Sequence, residues 1–166
     1  MSQQGVGVSD IETIVRVIRQ EWLVDGVLQQ TAYTLNPSET YLSVNRPAID
    51  TFESDIHTFV TSHDGFLFDD GNTCRLASMP VSGVRGIKIM DDENTPLAID
   101  VEVEPRDVHT KSHAGIFVRT GDQNIVSGRS LLGTSIPEGV SVDMILQDVR
   151  WELLALSTLE RHDIKE

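Results

Sequence analysis

The hydrophobic positions change period several times along the chain, and each change predicts an element. Behind Ser9-Asp-Ile-Glu12, which has the form of a capping box, Ile11, Ile14, Val15, Ile18 and Trp22 fall at helical spacing. That spacing predicts a helix over 11–22, although the β-branched run Ile14-Val-Arg-Val-Ile18 equally suits a strand. Asp25-Gly26 ends this element. Thr31-Ala-Tyr-Thr-Leu35 and Tyr41-Leu-Ser-Val44 read as short strands around the breaker Asn36-Pro37, and Asn45-Arg46-Pro47 stops the second. Phe52, Ile56, Phe59 and Val60 then mark one face of an amphipathic helix over 50–61, closed by Gly65.

The middle of the chain is β-rich, with strands predicted over 74–78, 83–90 and 97–104. The loop Asp91-Asp-Glu-Asn-Thr-Pro96 suits a hairpin between the last two. A further strand over 114–119 ends at a Gly121-Asp122 turn. Val142, Ile145, Leu146, Val149, Leu153, Leu156 and Leu159 return to helical register and predict one helix over 141–160. Strands in a block, with helices before and after, argue α+β: a mostly antiparallel sheet with a central-region helix and a long C-terminal helix. The 166 residues fit a single domain, with 1–8 expected to be flexible.

Composition changes this picture in one respect. Aromatics are only 5% of the chain, so the core must be built from Val, Ile and Leu. Charge changes it more. The 26 acidic and 13 basic residues give a net charge of −13, spread along both halves without a charged tail. Such a field repels phosphate backbones and excludes a basic nucleic-acid footprint, leaving plain solubility or a basic protein partner. Cys74 is the only cysteine, so neither a disulfide framework nor a cysteine zinc cage is expected. The N-terminus lacks the basic region and apolar core of a signal peptide, and no apolar run approaches the about 20 residues of a membrane span. A cytoplasmic protein, most simply bacterial, with no membrane partner is expected.

Candidate chemistry concentrates between residues 100 and 113. Asp100, Glu102 and Glu104 alternate with Ile99, Val101 and Val103, the pattern of a strand covered on one side. Strand alternation explains the acids as wet surface or as a partner-binding face. A hard-cation site needs further oxygens from other elements, since carboxylates two apart on a strand sit about 7 Å apart. His109 and His113 share the four-residue spacing of His-Glu-x-x-His metalloproteases, but Thr110, Lys111 and Ser112 supply no glutamate, and Pro105 and Gly115 flank a loop. Either histidine remains an acid-base candidate. Arg46, at a strand end before Pro47, could clamp an anionic group or form an ion pair. Nucleophile elbows, phosphate loops and calcium loops are incomplete, so no metal and no cofactor is expected. Trp151 stands off the apolar stripe of the last helix and is the candidate anchor for another protein or a second copy of the chain.

Trp22-Leu-Val-Asp-Gly26, Tyr41-Leu-Ser-Val-Asn-Arg-Pro47 and His113-Ala-Gly-Ile116 together resemble short bacterial proteins of unassigned function. The resemblance implies no activity; it suggests only that Arg46 and His113 belong to one architecture. The leading expectation is a non-enzymatic binding or accessory module that engages another protein through its acidic surface and a helix face. One alternative is a small hydrolase or transferase, with Arg46 holding an anionic group and His109 or His113 moving a proton. Another is an acidic mimic of nucleic acid. Convergence of the 106–113 loop and the Asn45-Arg46 turn on one concave pocket would favour the enzyme.

Overall fold

The computed structural model describes residues 7–106 and 110–164. Its centre is a seven-stranded antiparallel sheet. The strands of that sheet are β1 (Thr13–Val17), β4 (Leu42–Asn45), β5 (Thr73–Pro80), β6 (Asp100–Pro105), β7 (His113–Thr120), β8 (Gln123–Asn124) and β9 (Thr158–Asp163). Their order is β6-β7-β4-β1-β5-β9, with β8 added to β7. A separate two-stranded ribbon joins β2 (Leu23–Val24) to β3 (Val27–Leu28) through the Asp25-Gly26 turn. Helix α1 (Phe52–Ser62) covers one face of the sheet; α2 (Val81–Arg85) and α3 (Val142–Leu156) cover the other.

The first element shows why the sequence folds this way. Residues 13–17 form a strand, not the helix predicted over 11–22, because helices lie on both faces of the sheet. Ile14 and Ile18 enter the core under α3, while Val15 and Val17 enter the core under α1. A continuous β-branched run is what such a doubly covered strand requires. Ile11, counted in the helical stripe, is 94% exposed. Half of the capping box forms, with the Ser9 amide donating to Glu12 Oε2 at 2.8 Å, but the Glu12 amide donates to the Ser9 carbonyl at 3.0 Å, not to its hydroxyl, and closes a turn.

Three further expectations are corrected. The strand predicted over 31–35 is a 3-10 turn, Gln30–Tyr33, which buries Ala32 and Tyr33. The strand predicted over 83–90 begins as α2: Val81 and Val84 bury helically, and only Ile87 and Ile89 alternate. Its hairpin with 97–104 shrinks to a single bridge, Met90↔Pro96. Gly83 permits this packing, since a Cβ there would lie 2.8 Å from Leu156 Cδ2. The last helix stops at Leu156, where the Ser157 hydroxyl donates back to the Leu153 carbonyl at 2.7 Å. The chain then turns into β9, so Leu159 packs on the core from a strand.

The central helix and the antiparallel α+β architecture appear as predicted; the strand predicted over 114–119 runs His113–Thr120, and that predicted over 97–104 starts only at Asp100 and ends at Pro105. Residues 1–6 of the segment expected to be flexible lie outside the described residues, and Val8 is already packed in the core. Among the described residues no helix is long and apolar enough to cross a membrane.

Candidate functional site

Strand β1 pairs with β5 along its whole length, from Thr13↔Pro80 to Val17↔Leu76, but meets β4 in register only at Val15↔Asn45. Beyond that pair the two strands part. A cleft of about 830 Å³ opens at the split, lined by Arg16 and Val17 of β1 and by Ser43 and Asn45 of β4. Helix α1 adds Asp55, Thr58 and Phe59, and the two 3-10 turns before β2 and after β3 add Trp22 and Thr31.

Arg16 bridges the split. Its Nε donates to the Ala32 carbonyl at 2.6 Å and its Nη1 to the Ser43 carbonyl at 2.8 Å. The guanidinium carbon sits 5.1 Å from the centre of the Trp22 ring. Two of the five N–H donors of the guanidinium are thereby engaged and three remain. Burial lowers its pKa to about 10, so it stays a cation at neutral pH. None of the ion pairs among the described residues includes Arg16. Arg19, three residues on, also lines the cleft, lies 4.9 Å from the Phe66 ring and pairs with Glu21 at 2.7 Å.

The opposite rim is held by a hydrogen-bonded cluster. The Ser112 hydroxyl, fully buried, donates to Asp55 Oδ2 at 2.6 Å and accepts from Asn45 Nδ2 at 2.9 Å. The Ser112 amide and the Thr51 hydroxyl also donate to Asp55 Oδ2, at 3.1 and 2.9 Å. This cluster fixes the end of the 106–113 loop against α1 and β4. His113, paired in register with Asn45, lines the cleft beside it, 6.0 Å from the Tyr41 ring.

The Asn45-Arg46 turn and His113 therefore converge on one concave pocket, but the Arg46 side chain is not part of the lining. Its guanidinium turns to Glu12, with Nε and Nη2 each donating to one carboxylate oxygen at 2.9 Å, both side chains about one-tenth exposed. That bidentate bond holds the Glu12 carboxyl below the usual carboxylate range. The ion-pair reading of Arg46 is the one realised. His109 lies outside the described residues.

The alternating acids behave as strand chemistry. Val101 and Val103 are buried, while Glu102 pairs with Arg85 and Glu104 with Arg119. Arg85 also donates to the Val103 carbonyl at 2.9 Å, on a strand at the edge of the sheet. Asp100 is exposed. Trp151 is 54% exposed on α3, away from the helix face formed by Ile145, Leu146, Val149 and Leu153. Burial pushes the Cys74 thiol up to about 11, which fits a packing residue. Among the described residues no group of three or more His, Cys, Asp or Glu is placed to hold a metal ion.

No protein family, curated protein or solved structure matches the chain. The site residues that sequence reasoning missed are Arg16 and Trp22. The signal for the first was present: a charged residue inside Ile14-Val-Arg-Val-Ile18, a run otherwise buried on both faces, is costly unless it has backbone partners or a ligand.

Proposed function

We propose that this is a binding module whose binding element is the cleft between β1 and β4, and that it takes up a small anionic ligand anchored by Arg16. The acidity and the missing catalytic motifs favour a binder, as the sequence suggested, but the acidic strand and the helix face are not what carries the reading. The observation that carries it is the Arg16 guanidinium, outside every ion pair described, backed by an aromatic ring and held rigidly by two carbonyls at the edge of an 830 Å³ cleft. The two carbonyls leave three in-plane N–H donors, and such donors match carboxylate or phosphate oxygens.

The test is thermal unfolding in acetate, malonate and inorganic phosphate against chloride at equal ionic strength. A ligand at about 100 times its Kd adds about 2.7 kcal/mol of stability. The wild-type chain should gain stability from at least one of the anions and the Arg16→Gln chain should not; equal responses of the two chains would sink the reading.

A second reading has one observation behind it. His113 lines the same cleft as Arg16, so a hydrolase or transferase would use Arg16, in place of Arg46, for the anionic group and His113 for proton transfer. Turnover of a chromogenic ester that His113→Gln abolishes while anion binding persists would support it; no turnover by either chain would remove it.

A further inference from the structure

We propose that the ligand of this cleft is a sugar acid: a hydroxyl-rich molecule carrying a single carboxylate. The inference rests on the anion-binding reading above and narrows it by two observations, the charge balance of the lining and its shortage of aliphatic surface.

The cleft contains two guanidinium groups, Arg16 and Arg19, and three carboxylates, Glu21, Glu39 and Asp55. Each acid has a local bond: Glu21 to Arg19, Glu39 to the Asn36 amide at 3.0 Å, and Asp55 to the Ser112 cluster. Their negative field nonetheless remains, and it opposes any ligand carrying more than one charge. A phosphate monoester, close to a dianion at neutral pH, meets more repulsion here than one guanidinium offsets. A carboxylate matches the N–H edge of Arg16 with one charge.

The rest of the lining selects the body of the molecule. Val17 is the one aliphatic residue of the lining; its other apolar surface is the rings of Trp22, Phe59 and Phe66, which offer flat faces to the C–H side of a sugar ring. The Thr31, Thr34, Thr58 and Ser62 hydroxyls and the Asn36 and Asn45 amides offer donors and acceptors around the cavity. Sugar hydroxyls both donate and accept and meet such a surface with mutual satisfaction. A volume of about 830 Å³ falls in the range of pockets that enclose whole organic ligands and is more than a bare inorganic anion fills.

The chain has two tryptophans, and Trp151→Phe at an exposed position leaves Trp22, in contact with Arg16, as the only fluorophore of that kind. That protein is titrated with glucuronate, glucose, glucose 6-phosphate and acetate. Glucuronate should give a saturable change in Trp22 fluorescence, at least about tenfold tighter than the other three. Arg16→Lys should weaken it by about tenfold or more. Thr58→Phe, which fills the cleft from an exposed helix position, should abolish it without touching the core. If glucose 6-phosphate or acetate binds as tightly as glucuronate, the sugar-acid assignment is overturned while the anion-binding reading stands. If no anion binds, both fall. If glucose equals glucuronate and Arg16→Lys changes nothing, the carboxylate anchor is wrong.

Discussion

Replacing Arg46 with methionine removes one half of an ion pair that is largely buried. Glu12 and Arg46 are joined by two bonds of 2.9 Å, with side chains 11% and 10% exposed. Methionine fills much of the space but leaves the carboxylate with the Ser9 amide as its remaining described donor. Breaking a buried pair from one side costs about 3–5 kcal/mol, because the surviving charge stays desolvated. Against a total stability of about 5–15 kcal/mol this is a large fraction. For a chain of 166 residues it corresponds to a fall in Tm of about 6–20 °C. The assay is urea unfolding followed by circular dichroism, in which the midpoint should drop with an unchanged slope. Acid sharpens the test. The Arg46 hydrogen bond holds the Glu12 pKa below its ordinary 4.5, so the stability it contributes is complete above that value and is lost as pH falls through the lower folded value. The gap between wild type and Arg46→Met should therefore start to close as pH falls below that ordinary value and go on narrowing through the lower folded value. A loss under about 1 kcal/mol, or a gap independent of pH, would refute the account.

Other perturbations probe the site and the fold separately. A Cβ on Gly115 would lie 2.5 Å from Tyr41 Cδ2 and 2.9 Å from Cγ, so Gly115→Ala should cost about 1–3 kcal/mol in urea unfolding, most of it recovered in the Gly115→Ala/Tyr41→Ser double variant. Ser112→Ala leaves the Asn45 amide without its described partner and takes one of three donors from Asp55 Oδ2, and should lower stability by about 1–3 kcal/mol. Trp151→Ala, by contrast, should stay within about 0.5 kcal/mol of wild type; a larger loss would show the indole to be packed.

Much of the fold was legible where a single period governs a segment. Phe52, Ile56 and Val60 face one core and polar residues face water, so α1 could be read directly. Val101 and Val103 alternate with acids, which gave β6. The errors fall where burial occurs on two sides or changes mode within a few residues. Ile14, Val15, Val17 and Ile18 serve two cores at once, and a run with no polar face fits either period. Leu156 and Leu159 share the helical register of α3, yet the chain leaves the helix between them, because Ser157 and Thr158 favour an extended backbone next to an edge of β5 that needs a partner. The site was half legible. Asn45 and His113 pair in register on adjacent strands and both line the cleft, but pairing of Arg46 with Glu12 depends on a contact 34 residues away that no local pattern encodes.

The split between β1 and β4 links the fold to the cleft. An antiparallel pair that registers at one position leaves backbone groups beyond it without their ladder partners, and such groups are costly when sheltered from water. Arg16 answers that problem at Ser43 of β4, and its Nε also takes the Ala32 carbonyl of the neighbouring 3-10 turn. A lysine could reach one carbonyl as a point charge, but only the guanidinium fork spans two while its carbon sits 5.1 Å from the centre of the Trp22 ring. The arrangement fixes a cation at the mouth of the gap it bridges, in a chain whose net charge of −13 otherwise repels anions. On the proposed anion-binding reading, long-range attraction therefore cannot select the ligand. On that reading selection would fall to short-range geometry, which would favour a small molecule with one negative charge over a polyanion, and that preference would come from the same break in the sheet that made the cleft.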